Sequence, residues 1–221
     1  MPSHRFFNLP DEKKRRILDA AVAEFSRVPF DQVSINKIVQ NADIPRGSFY
    51  QYFENKLDLL SYVLVDLRKV MDDTIYITLQ KTNGDIFAVI LAILDLMISV
   101  GIQGEKQDLF RNVFPHLKME ESKYLFPSLQ LHMLTEPPAC CSENPELVQS
   151  FMDYADRLQN AGVSQDDLLD VMELVLALLQ YTVSQIFFYP ENVREIHRHF
   201  ENKLAILKRG LCREETVHVK I

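Results

Sequence analysis

The fold of this chain is most constrained by a short interruption, Ala42-Asp43-Ile44-Pro45, set between two brief runs of helical periodicity. Before it, Ile35, Ile38, Val39 and Ala42 mark one helix face. Ser34 stands where an N-cap hydroxyl would accept from a free amide two or three positions on. After it, Pro45 occupies a first helical turn, where a missing N–H costs no hydrogen bond. Phe49 and Phe53 then form an inward i, i+4 pair. Upstream, Asp11 and Glu12 follow Pro10 and suit the positive end of a helix dipole. Ile17, Ala21 and Phe25 recur at four-residue spacing, with Leu18 and Val22 widening the stripe, and the helix must stop before Pro29. Three helices with a tight turn between the last two form a helix-turn-helix pattern.

Beyond residue 54 the helices lengthen. One is predicted over residues 55–80, with Leu57, Leu60, Val63, Leu64, Leu67 and Met71 on its buried side and Thr82-Asn83-Gly84 closing it. Residues 86–100 are apolar almost all round and belong at the centre of a bundle. Gly101 and Gly104 flank the next break, and shorter helices are expected over 106–114, 118–134 and 145–161. Prolines and polar residues make 135–144 a loop. Ser164 and the acids after it open a long helix to Phe188, Tyr189-Pro190 breaks it, and a last helix runs over 192–211. No strand is predicted. The expectation is all-α: a three-helix head over 1–54 on a larger helical bundle over 55–221.

Composition excludes several alternatives. Six Gly in 221 residues leave little room for glycine-rich phosphate loops, and three Cys make no disulfide framework and suit a reducing cytosol. The first ten residues lack the apolar run of a secretory signal. Two very apolar stretches, 86–102 and 168–188, carry Asp95 in one and Asp170, Glu173, Gln180 and Gln185 in the other, so core or interface helices are expected and no membrane partner. The net charge of -7 is uneven. Residues 1–53 hold eight basic against six acidic side chains, and the acidity lies in the rest. A polyanion, if one binds, binds the head.

The run Gly47-Ser48-Phe49-Tyr50-Gln51-Tyr52-Phe53-Glu54-Asn55-Lys56 resembles the G-[ST]-hydrophobic-Tyr-x-Tyr-Phe-x-x-Lys core of the tetracycline-repressor (TetR) family of bacterial regulators. The resemblance extends over about residues 14–60. It departs at Asp43, where the family's turn usually has glycine; aspartate tolerates the left-handed conformation better than most residues. A recognition helix presents its amino-terminal residues to the major groove, here Pro45, Arg46, Gly47 and Ser48. Arg46 can donate two hydrogen bonds to a guanine edge, worth about 1–3 kcal/mol of discrimination, or contact a phosphate instead. Gly47 lets the backbone approach a base or phosphate. Ser48 and the tyrosines Tyr50 and Tyr52 either side of Gln51 suit phosphate oxygens, with packing beneath the head as the lesser alternative for Tyr52. Lys56 could close a phosphate clamp or stay solvated, and Ser34, by capping, would aim helix amides at the backbone. The resemblance singles out Asn36 as the preceding helix's base-reaching position. Arg5, in a flexible arm, could probe the minor groove. Lys13, Lys14, Arg15 and Arg16 read as a solvated face.

The body carries no catalytic motif, no dinucleotide fingerprint and no metal-ligand spacing. His197 and His199 point to different faces, and Cys140, Cys141 and His132 lack a fourth ligand. No cofactor and no enzymatic activity are expected. The resemblance implies a body that binds a small effector and dimerises, so that the chain would act as a ligand-responsive regulator, a repressor or else an activator, on a (pseudo)palindromic double-stranded DNA operator. An α-helical protein without a DNA role is the other class. Candidates to line an apolar or aromatic effector site are Tyr62, Asp66, Phe87, Phe110, Phe114, His116, Tyr124, Met133, Met152 and Tyr181. For the homodimer interface they are Leu168, Met172, Val175, Leu176, Leu179, Val183, Ile186 and Phe187 on the long helix, paired with the last one.

Overall fold

A computed structural model describes residues 2–82, 84–102, 106–129 and 164–211, together with positions 145, 146, 149, 152, 153 and 156. Among the described residues every regular element is helical. The head comprises α1 (His4–Phe7), α2 (Asp11–Arg27), a 3-10 turn (Phe30–Gln32), α3 (Ile35–Asn41) and α4 (Arg46–Tyr52). Ile17, Phe25, Ile38 and Phe49 are fully buried at its centre, joined by Phe53.

The α3–α4 turn holds as expected. Asp43 has φ 51°, the left-handed conformation. Its amide reaches the Gln40 carbonyl (3.2 Å) and the Ile44 amide reaches Val39 (3.0 Å), a Schellman closure of α3. The cap at the other end of α3 differs from expectation. The Ser34 hydroxyl makes no cap bond; instead its backbone N–H donates to Glu24 Oε1 at 3.2 Å. Glu24 is buried and gripped by two Arg27 nitrogens at 2.8 Å each. The Arg27 hydrogen bonds hold its carboxyl below the usual glutamate range. A buried carboxylate thus holds the N-cap's own amide, while the Lys37 amide, one of those the hydroxyl would cap, bonds the Ser34 carbonyl (3.1 Å).

The amino terminus also departs from the flexible arm expected around Arg5. Ser3 donates its amide to the Tyr52 carbonyl (2.8 Å) and its hydroxyl to the Gln51 carbonyl (2.6 Å). Phe6 is fully buried, its ring 4.8 Å from Phe53 and 5.1 Å from Tyr62. Burial of one such side chain is worth about 1.5–3 kcal/mol, which is enough to dock a four-residue helix on the end of α4.

The body continues with α5 (Lys56–Val63), α6 (Val65–Thr82), α7 (Ile86–Ile102), α8 (Gln107–Val113), a 3-10 turn (Phe114–His116) and α9 (Met119–Leu125). A 3-10 turn (Pro127–Leu129), α10 (Gln165–Phe188), a 3-10 turn (Pro190–Asn192) and α11 (Val193–Leu211) complete it. The single helix expected over 55–80 is two helices. Leu64, at φ -96° and ψ 11°, turns the chain between them. The β-branched Val63 and Val65 flank it, which weakens helix there. The two pieces also bury different stripes: Leu59 and Leu60 of α5, which packs on α2 and α9, and Met71, Ile75 and Leu79 of α6, which packs on α7.

The helix expected over 118–134 ends at Leu125, because Phe126 precedes a proline and adopts φ -126°, ψ 75°. His132, Met133, Cys140, Cys141 and Gly104 lie outside the described residues, as does the loop expected over 135–144. Of the helix expected over 145–161 only the six scattered positions are described.

Helix α7 is central, contacting α6, α8, α10 and α11. Gly101, within α7 and not beyond it, lets Phe187 of α10 approach: a Cβ there would sit 2.4 Å from the ring. His197 Nε2 lies 2.7 Å from Asp95 Oδ1, joining α11 to the charged position of α7. In α10 the stretch Leu169–Phe188 is long and apolar enough to cross a membrane by length and composition alone. Here Val175, Leu179, Ile186 and Phe187 are buried in the bundle.

Candidate nucleic-acid interface and effector cavity

Helix α4 divides cleanly. Phe49 and Tyr52 turn inward, while Arg46, Gly47, Tyr50 and Gln51 are exposed at i, i+4 spacing on the outer face, with Pro45 exposed just before and Ser48 half-buried. Arg46 Nη1 donates to Asn36 Oδ1 of α3 at 2.6 Å, and Nη2 donates to the Tyr50 hydroxyl at 3.3 Å. The guanidinium also lies 5.8 Å from the Tyr50 ring centroid. The fold therefore gathers Asn36, Arg46 and Tyr50 into one outward-facing assembly. An arginine has five N–H donors, so the two bonds orient the guanidinium and leave donors for a base edge or phosphate. A Cβ added at Gly47 would meet no atom within 4 Å, so the approach to its backbone is open.

Three expected contacts are placed differently. Tyr52 is only 7% exposed, 6.2 Å from the Phe6 ring, and carries Lys13 Nζ 5.9 Å from its centroid. It packs beneath the head. Lys56 donates to the Phe30 carbonyl (2.6 Å) and the Asp31 carbonyl (3.0 Å), with Nζ 4.8 Å from the Phe30 ring centroid. Burial lowers its pKa. Its ammonium is thus committed to fastening α5 to the turn after α2. Ser34 presents no hydroxyl cap, and its backbone amide is held by Glu24.

The body contains a cavity of about 70 Å³ between α6, α7, α9 and α10. Met71, Met97 and Met119 line it, with Phe114, Leu179 and Gln180 among the others. Of the expected effector residues that are described, Phe114 alone is on this wall. Phe110 stacks behind it at 5.5 Å. Tyr62 belongs to the Phe6–Phe7 cluster, and Asp66 is exposed beside Lys69. Phe87 is buried near Lys208, and His116 stands edge-on to Phe188 at 6.0 Å. Met152 is half-buried at a helical position. Tyr181 is 57% exposed. The aromatic side chains supplied packing elsewhere, and the three methionines, spread over three helices, form no pattern in the sequence.

Tyr124 is also off the wall, although α9 carries Met119, Ser122 and Lys123 on it. Its hydroxyl donates to Asp58 Oδ1 at 3.4 Å. Asp58 is buried, and its other oxygen accepts the Glu54 amide at 3.1 Å, just past the end of α4. Asn55 caps α5 at the same place, accepting from the Leu57 and Asp58 amides at 2.8 and 3.0 Å. A chain of contacts therefore leads from the cavity's α9 wall to the recognition-helix exit.

The expected dimer residues face the wrong way for a partner. Met172, Val175, Leu176, Leu179, Val183, Ile186 and Phe187 are all buried within their own protomer; nothing is described of the Leu168 side chain. The sequence could not distinguish inside from outside on a helix apolar all round. The opposite face exposes Leu174, Tyr181 and Phe188 at seven-residue intervals, and α11 exposes Ile206.

Residues 17–63 match the family model described as bacterial regulatory proteins, tetR family, and residues 85–211 match the one described as tetracyclin repressor-like, C-terminal domain. The HTH-type transcriptional repressor KstR of Rhodococcus jostii (strain RHA1) is 36% identical over 53 residues, 24% of this chain and 25% of that protein. Its namesake in Mycolicibacterium smegmatis (strain ATCC 700084 / mc(2)155) is 37% identical over 49 residues, 22% and 24% of the two chains. The matched segment spans about a quarter of the length of these curated relatives. A crystallised TetR family transcriptional regulator from Chloroflexus aurantiacus J-10-FL aligns over 95% of this chain and 98% of its own, at 22% identity and a TM-score of 0.42. With one family model on the helix-turn-helix head and the other on more than half of the chain, the protein belongs to the TetR family of bacterial transcriptional regulators.

Proposed function

We propose that the protein is a ligand-responsive repressor that binds a (pseudo)palindromic operator as a homodimer and is released by a small, largely apolar effector. The outward Asn36–Arg46–Tyr50 assembly carries this reading, because it holds a guanidinium in position at the amino-terminal end of α4. Arg46 reads a base edge; Asn36 and Tyr50 orient it; Pro45, Gly47, Ser48 and Gln51 set the approach of the backbone to DNA. Two relatives with similar heads are named as repressors, which favours repression over activation.

The dimer face is the exposed stripe of Leu174, Tyr181 and Phe188, together with the exposed Ile206 of α11, and not the buried stripe of α10. Each half-site then takes one head, about 34 Å or a multiple from its mate. An effector in the cavity touches Met71 of α6 and Met119 of α9. It can change operator affinity only by differing in affinity for the two arrangements of the heads. Movement of α9 would reach α4 through Tyr124 and Asp58. The test is binding to promoter DNA beside the protein's own gene, measured by anisotropy across salt concentrations. Sequence-preferring binding that weakens with salt is expected; affinity indifferent to sequence would sink the proposal.

A further inference from the structure

We infer that the open pocket between α8, the Phe114–His116 turn and the carboxyl end of α10 is a ligand site distinct from the core cavity, and that it takes a compact aromatic carboxylate.

The pocket has a volume of about 380 Å³ and is lined by Arg111, Asn112, His116, Phe187, Phe188 and Pro190. Three of these side chains are polar, three are apolar, and none is acidic. Arg111 is exposed, and among the described residues neither it nor His116 has a hydrogen-bond or ion-pair partner. Five guanidinium donors and an imidazole nitrogen are therefore uncommitted, and the flexible arginine stem can bring its fork to a ligand seated in the pocket. With a net charge of -7 the chain offers anions no general attraction, so an anion held here is held by these local donors.

The rest of the wall is fixed by its surroundings. Phe187 is nearly buried, lies against Gly101 and stacks 5.9 Å from Phe114. His116 stands edge-on to the half-exposed Phe188 at 6.0 Å. Asn112 Nδ2 donates to the Ser26 carbonyl of α2 at 2.7 Å, which ties α8 to the head. A largely pre-formed wall with apolar rings and a few polar groups is what a small-molecule site requires.

These walls select the ligand class. A cation meets an arginine and no acid. A neutral arene uses the rings and leaves the guanidinium unused. A phosphate dianion meets one permanent positive charge and three apolar side chains. A carboxylate matches the guanidinium fork with two parallel hydrogen bonds, and an aromatic body packs on Phe187, Phe188 and Pro190. The volume is about two and a half times that of a cavity that holds benzene, which leaves room for two fused rings bearing a carboxylate.

The probes are 2-naphthoate and its neutral counterpart 2-naphthamide, which has nearly the same shape without the charge. Titration calorimetry on the full chain should find naphthoate bound about tenfold more tightly, the worth of charge-assisted hydrogen bonds at an open site. Arg111→Gln should erase that preference while amide binding is kept. Because Arg111 does not line the core cavity, its effect assigns the probe to this pocket. Phe188→Ala should weaken both probes alike, by about threefold to tenfold, and circular dichroism checks that each variant is folded. Equal affinity of the two probes, absence of naphthoate binding, or a preference that survives Arg111→Gln would each overturn the inference. So would unchanged binding in Phe188→Ala, or inorganic phosphate that displaces naphthoate at equal concentration. None of these outcomes depends on whether the chain binds an operator, so the site and the function proposed above can fail separately.

Discussion

The head and the body are built from the same helices and solve different problems. In the head, short elements are joined by turns whose geometry is fixed residue by residue: Asp43 in the left-handed region, Pro45 before α4, Asn55 capping α5. Once those joints are set, the inner face of α4 is given by Phe49 and Tyr52, and the outer face by Arg46 and Tyr50. In the body, α7 and α10 are apolar on nearly every side, and which side is buried is decided by the neighbours. Local chemistry therefore fixes what the head presents to solvent, whereas packing fixes what the body presents.

The sharpest way to break this contrast uses the two faces of α10. Tyr181→Glu combined with Phe188→Glu changes exposed positions. It should turn the proposed dimer into a folded monomer in sedimentation equilibrium, and operator affinity should fall more than about 100-fold as the two half-sites lose their linkage. Leu179→Ala, on the buried face, should instead lower unfolding free energy by about 2–4 kcal/mol without changing the association state beyond that loss. If the double variant remains dimeric, the exposed stripe is not the interface.

On the head, Arg46→Ala should cost about 1–3 kcal/mol per half-site, concentrated at one base pair. Operator variants titrated by anisotropy would reveal it; a uniform loss across sequences would make Arg46 a phosphate contact. Asn36→Ala should give a smaller loss at the same base pair, because in this geometry Asn36 orients the guanidinium.

Returning to the body, Gly101→Ala tests how much its packing tolerates. The new methyl would meet Phe187, itself stacked 5.9 Å from Phe114 and nearly buried. Overpacking outweighs the better helix propensity of alanine, so a net loss of about 1–2 kcal/mol is expected in denaturant titrations. An unchanged midpoint would show that the α7–α10 contact is loose.

The sequence made the all-α architecture, the helix-turn-helix and the Arg46 face legible because each rests on a local rule: period, cap, or turn. Phe6 was visible only as an apolar residue, since a four-residue helix has no period to read. Lys56 and Tyr52 were misplaced because their partners, the Phe30 carbonyl and the Phe6 ring, are 26 and 46 positions away. Leu64 was invisible as a break because no Gly, Pro or capping residue marks it, and two flanking valines weaken a helix too little to announce an end. The cavity was hidden for a related reason: its wall draws Met71, Met97 and Met119 from three helices, while Phe87 and Tyr62 spend their rings on other packing.

A modest effect, comparable with that at Gly101, best separates a fixed joint from an ordinary surface charge. Glu24 holds the Ser34 amide at the start of α3, and Glu24→Gln should weaken its bonds to Arg27 and shed about 1–2 kcal/mol. Its carboxyl is depressed in the folded state, chiefly by the Arg27 hydrogen bonds. The stabilisation is therefore fully present above the ordinary glutamate value and is lost as pH falls through the lowered folded value. Unfolding free energies measured from about pH 6 down to about pH 3 should fall more steeply for the unaltered protein than for Glu24→Gln, with the two converging at the acid end. Parallel curves would mean that the α3 start is held by backbone and core packing alone. The head's joints would then be less chemically specified than the body's, reversing the contrast from which these experiments began.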